Sequence, residues 1–99
     1  GPIEREVSEQ EGGTHADEIE TSIMLAIAPD RVDMRLAVKD YVTRGKSGLT
    51  RDPNGEGTYS PTGTWGDPTL ATKEKGDRIV EAFLRALALD IETLRAGRP

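Results

Sequence analysis

Two stretches of the chain carry apolar residues at helical spacing. In the first, Ile19, Ile23 and Ile27 fall at i, i+4 and i+8 and make one stripe. Met24, Leu25, Ala26 and Ala28 widen it until most of the circumference is apolar, as in a helix buried on more than one side. Pro29 disfavours helical backbone at Ala28 and ends the run. The second stretch follows Thr72 and is clean from Asp77. Ile79, Val80, Phe83, Leu84, Leu87, Ile91 and Leu94 line one face, while Arg78, Glu81, Arg85, Glu92 and Arg95 line the other. Thr72 is placed to cap this helix and Gly97 to end it.

The rest is less periodic. Ile3 to Gln10 is charged and predicts a short helix or a mobile arm, broken by Gly12-Gly13. Thr14 is placed to cap the first apolar helix, starting near His15 or Ala16, with Asp17 and Glu18 in its first turn. Arg31 to Tyr41 fits two states. Val32, Met34 and Leu36 alternate with charges as in a strand, while Ala37, Val38 and Tyr41 suit a helical turn. Thr43 to Thr69 is punctuated by glycine and proline, with Leu49, Tyr59 and Trp65 as single anchors, and Asp52-Pro53-Asn54-Gly55 predicts a tight turn. The expected organisation is an arm and hinge over 1–14, a helical segment carrying the candidate site over 15–42, a Gly/Pro-rich loop over 43–70 and a C-terminal helix over 71–97.

Composition sharpens this picture. A chain of 99 residues holds one domain at most, and 34% apolar with 4% aromatic residues is thin for an independent core. A structureless loop as long as the Gly/Pro-rich one is unusual inside a compact small domain. The expectation is a part of something larger: an oligomer, a heteromer or a piece of a longer protein. A net charge of -5 gives nucleic acid no electrostatic attraction. With no cysteine there is no disulfide, thiolate zinc site or cysteine nucleophile within the chain. No apolar run approaches the ~18 residues of a membrane span, and no signal peptide is visible. A soluble, cytoplasmic protein is expected, with no membrane partner.

The candidate chemistry centres on His15, the only histidine, behind Gly12-Gly13. The glycines let backbone approach a ligand and adopt positive φ. Three readings compete. One is an ordinary capped helix with a surface histidine. Another is a metal site, since His15 and Glu18 at i, i+3 share a face; zinc or manganese calls for three or four ligands, however, and there is no second histidine. The third is a catalytic or substrate-binding histidine supported by a carboxylate, with Asp17, Glu18 and Glu20 pointing in different directions so that one or two of them at most share its site. Glu18 alone reads as a solvated first-turn acid. The glycine-rich stretch is either a surface wrap anchored by Tyr59 and Trp65 or a pocket lid or oligomer contact. Arg44, Lys46 and Arg51 form a small basic cluster, either solvated or facing an anionic substrate.

The segment from Gly12 to Met34 resembles the creatininase (creatinine amidohydrolase) family. His15, Glu20, Thr21, Ser22, Met24 and Leu25, then Pro29, Val32 and Asp33, match its His-x-x-x-x-Glu-Thr-Ser-x-Met-Leu segment and the Pro and Val-Asp that follow. Gly63 to Phe83 resembles the family's C-terminal signature, in which a Gly-Asp-Pro-Thr stretch leads into Glu-Lys-Gly at the start of the last helix. The resemblance implies the C-terminal part of a three-layer α/β/α fold, often assembled as a homo-oligomer. It also implies hydrolysis of a C–N amide by water activated at a divalent metal, zinc or manganese. The family's ligands come from Glu-x-His, Asp and Asn-Gly-His-x-Glu segments absent here, so metal ligands are expected outside this chain, in a missing N-terminal part or a partner chain. The resemblance makes His15 the proton-transfer residue and Glu20 its supporting acid, with Gly13, Thr14 and Trp65 as substrate-binding candidates. The residues preceding His15 depart from creatininase itself, which favours another family member, acting on a cyclic amide, a formamide or a peptide-like bond; a small-molecule amide is the expected partner. The alternative is a non-catalytic binding or assembly subunit that reuses the architecture.

Overall fold

The structure, a computed structural model, describes residues 1–40 and 48–97. Tyr41 and the basic residues Arg44 and Lys46 lie outside the described residues. The charged arm is a short helix, α1 (Pro2–Val7), with proline at its start, where no amide hydrogen is needed, and Val7 buried.

Helix α2 (Glu18–Ile27) begins later than a cap at Thr14 requires. Its cap is Asp17, whose carboxylate accepts from the Glu20 amide at 2.9 Å. Thr14 is drawn elsewhere. The amides of Thr14 and His15 both donate to the Trp65 carbonyl, at 2.8 and 3.2 Å, and this extended pairing holds the chain out of the helix. The helix ends at Ile27, and Pro29 opens a 3₁₀ turn, Pro29–Arg31. A second 3₁₀ turn, Met34–Leu36, follows, so the part of the ambiguous stretch that is described forms neither a strand nor an α-helical segment.

The glycine-rich region holds a two-residue parallel pair, β1 (Leu49–Thr50) and β2 (Thr58–Tyr59), with Leu49 opposite Thr58 and Thr50 opposite Tyr59. The tight turn forms as predicted: the Gly55 amide donates to the Asp52 carbonyl at 3.0 Å, and the Asn54 amide to the Asp52 carboxylate at 2.9 Å. A 3₁₀ turn at Pro68–Leu70 leads into α3 (Lys73–Arg95). Thr72 caps α3 by accepting from the Lys75 amide at 3.1 Å, and Gly97, at φ +70°, follows its end. The described chain is thus mostly helical with one short parallel pair, compatible with a fragment of an α/β protein. No described helix is long and apolar enough to cross a membrane.

The main packing event is the crossing of α2 over the first turns of α3. A side chain at Gly76 would run into the Ser22 carbonyl, so backbone meets backbone there. Ser22 is fully buried, and its hydroxyl accepts from the Thr72 amide at 3.2 Å. Ile79, one turn on, is fully buried, and with Val7, Trp65 and Ala71 it makes the small apolar core. Past Ala82 every described residue of α3 is exposed: Phe83 is 47% and Leu94 73% exposed. On α2, Ile27 is 64% exposed, so the helix expected to be buried on more than one side is covered mainly on its α3 side.

Candidate functional site

The site is assembled around the segment Trp65–Gly66. On one side it pairs with His15, the Trp65 amide donating to the His15 carbonyl at 2.9 Å in return for the two bonds that its own carbonyl accepts. On the other side Gly66 pairs with Asp40, through bonds of 3.0 and 2.9 Å. The Asp40 carboxylate is held in turn by the Thr62 hydroxyl at 2.6 Å. A loop that carries one histidine is therefore fixed through its main chain, while the imidazole remains 59% exposed.

The three acids of the segment separate, as their positions on the chain predict. Glu20 stays with His15: its Oε2 lies 4.0 Å from the imidazole Nδ1 and accepts from the Ala16 amide at 2.5 Å. Asp17 thus satisfies the Glu20 amide, and Glu20 the amide of Ala16 just before the cap. Ala16, between bridge and helix, sits at φ +49°, a region that residues with a side chain seldom enter. The turn it makes brings the Glu20 carboxylate back over the loop.

Glu18 is not a solvated acid. It is fully buried, and its carboxylate accepts from Lys75 Nζ at 2.6 Å, from the Glu9 and Gln10 amides at 2.8 and 2.9 Å, and from the Ser8 hydroxyl at 3.1 Å. Burial pushes this carboxyl up, but Lys75 and the surrounding N–H and O–H donors outweigh it, and its pKa falls below the ordinary value. Burial likewise depresses the Lys75 ammonium, yet Glu18 and Glu9 together raise it. Because Lys75 occupies Glu18, the reading that pairs Glu18 with His15 at a metal loses its second donor. Neither Lys75 nor Gln10 carries a local signal in the sequence, since their partners lie far along the chain.

The substrate-binding candidates separate too. Thr14 is exposed beside His15, and Gly13, at φ +146°, makes the bend before it. Trp65 is only 6% exposed, so it meets the loop through its backbone and anchors the glycine-rich segment with its ring. Arg51 reaches the Pro61 carbonyl at 3.5 Å on the surface. From Ala16 and Glu20 a groove of about 410 Å³ runs along α2, lined by Met24, Val32, Met34, Val38 and Pro68. Among the described residues no cluster of three or more His, Cys, Asp or Glu is placed to hold a metal, and His15 with Glu20 is too small a donor set for zinc.

No curated protein and no solved structure matches the chain. A family model described as creatinine amidohydrolase matches residues 2–91. With that match running from the arm through the His15 loop and along most of α3, the chain belongs to the creatininase family.

Proposed function

We propose that this chain is the C-terminal part of a metal-dependent amidohydrolase that hydrolyses a C–N amide: a cyclic amide, a formamide or a peptide-like bond. Membership of the creatininase family supports an amidohydrolase-type activity. Family members are generally metal-dependent. The donors among the described residues do not make a metal site, so in this reading the ligands belong to other polypeptide, and the chain's own part in the reaction is proton handling. Breaking a C–N bond requires a proton at the departing nitrogen, and a nearby imidazole both accepts and donates one. His15 suits that role, with Glu20 as the acid that steadies the loop and faces the ring. The observation that carries this reading is the contrast within one residue: His15 has its main chain locked to Trp65 and its ring open to solvent, 4.0 Å from Glu20, which itself lines the groove.

In the whole protein, α2 and α3 would form part of one helix layer over a sheet, with Met24, Ile27, Phe83 and Leu87 covered by the N-terminal part or by a further copy in a homo-oligomer. The exposed apolar side of α3 also favours a second reading, in which the chain is a binding or assembly subunit without catalysis. One experiment separates the two. Hydrolysis of creatinine, an N-formyl amine and a short peptide is measured with zinc or manganese, on the chain joined to the segment encoded upstream of it. Turnover that disappears in His15→Ala, with the circular dichroism unchanged, is the expected outcome. Absence of turnover on all three substrates, or turnover indifferent to His15→Ala, overturns the catalytic reading.

A further inference from the structure

Behind the His15 loop lies one polar side chain that bonds to the cap and first turn of α2 and to the backbone at Asp67. The Gln10 amide nitrogen donates to Asp17 Oδ2 at 2.8 Å. Its carbonyl oxygen accepts from the Glu18 amide at 3.2 Å and from the Asp67 amide at 2.9 Å. Two N–H donors on one side and a carboxylate on the other fix which way the amide faces. Two glycines leave room for it. A side chain at Gly13 would strike the Gln10 amide, and one at Gly66 would strike both Asp17 and the Gln10 oxygen. Gly13 and Gly66 are also at φ +146° and +148°, backbone that favours glycine. The carboxamide therefore lies between the bend before His15 and the segment that pairs with His15. It ties both to the first turn of α2, from which Glu20 faces the imidazole.

The geometry points to Gln10 as a positioning residue for His15. It joins the arm, the α2 cap and the Trp65–Asp67 segment into one frame, and that frame sets where the imidazole stands relative to Glu20. Gln10 touches no reacting atom; it acts through the loop. This inference rests on the catalytic reading of His15, which the test keeps separate.

The test uses Gln10→Met, which fills nearly the same space without the three hydrogen bonds, and Gln10→Ala as a second variant. Ile79→Val serves as a control, weakening the small apolar core while leaving the three Gln10 hydrogen bonds in place. In the chain joined to its upstream segment, Gln10→Met is expected to lower kcat by about 10- to 100-fold with little change in KM, the scale of effect expected when a reacting group is displaced by about 1 Å. Ile79→Val should leave kcat nearly unchanged. An independent readout needs no turnover: hydrogen exchange at the Trp65 amide and the ring-proton resonance of His15, the only histidine. Gln10→Met should speed the former and shift the latter, whereas Ile79→Val should do neither. Unaltered exchange and resonance in both Gln10 variants would overturn the inference, as would a kcat loss no larger than the control's. If instead His15→Ala keeps full activity, the catalytic reading fails, while the exchange and resonance data still decide whether Gln10 holds the loop.

Discussion

Lys75 reaches the Glu18 carboxylate across 57 positions of sequence, and that carboxylate has lost all contact with water. Removing one member of a buried pair leaves the other charge without compensation, which typically costs about 3–5 kcal/mol. Lys75→Met is therefore expected to lower the unfolding free energy by about that amount, read from urea denaturation at neutral pH. The pair also shapes the response to pH. The Glu18 carboxyl is lowered in the fold, so its contribution is present above the ordinary carboxyl value of about 4.3 and is lost as pH falls through the folded value. The Lys75 ammonium is raised, so its contribution is present below about 10.4 and is lost as pH climbs through the folded value. Urea midpoints taken from neutral pH into the acid range should fall in the native protein. In Glu18→Gln they should start lower and fall less. A variant with the native acid slope would show that other carboxylates govern acid unfolding. None of this was readable locally: an acid in the first turn of a helix is usually solvated, and its cation is supplied by a different helix.

At the scale of elements, the crossing of α2 and α3 depends on the missing side chain at Gly76. An alanine there gains helix propensity of up to about 1 kcal/mol but pushes into the Ser22 carbonyl, and overpacking at a tight contact typically costs about 1–3 kcal/mol or more. Gly76→Ala is expected to lower the thermal midpoint despite its better propensity; a raised midpoint would mean that the helices separate easily. Helix α3 was legible from the sequence, because its stripe, the Thr72 cap and the Gly97 terminus all lie within one continuous stretch. So was the Asp52–Gly55 turn, whose proline and glycine act within four residues. The start of α2 was not. Thr14 and Asp17 are both good caps, and the choice between them is made by Trp65, which claims the Thr14 amide from far along the chain. The separation of Glu20 from its acidic neighbours could be anticipated from helical spacing. The role of Gln10 could not, because a glutamine in a charged arm looks like any other surface residue.

At the scale of the molecule, the shape is governed by α3. Its 23 residues extend roughly 34 Å, and only its first turns are packed. The radius of gyration is 16.1 Å, against the ~13 Å expected of a compact chain of this size. Contiguous exposed apolar residues of this kind mark contact surfaces. The 99-residue chain alone is expected to bind an apolar fluorescent dye and to self-associate in sedimentation. Lysine at Leu84, Leu87 and Ile91 should reduce both while leaving the helical dichroism in place, and dye binding that survives those changes would place the adhesive surface elsewhere. The pairing of His15 with Trp65 has a practical consequence. The protein's sole tryptophan is joined to its sole histidine by main-chain bonds, so its ultraviolet emission is a built-in gauge of whether that pairing has formed. A stopped-flow refolding trace can time the formation of that pairing, with no label attached.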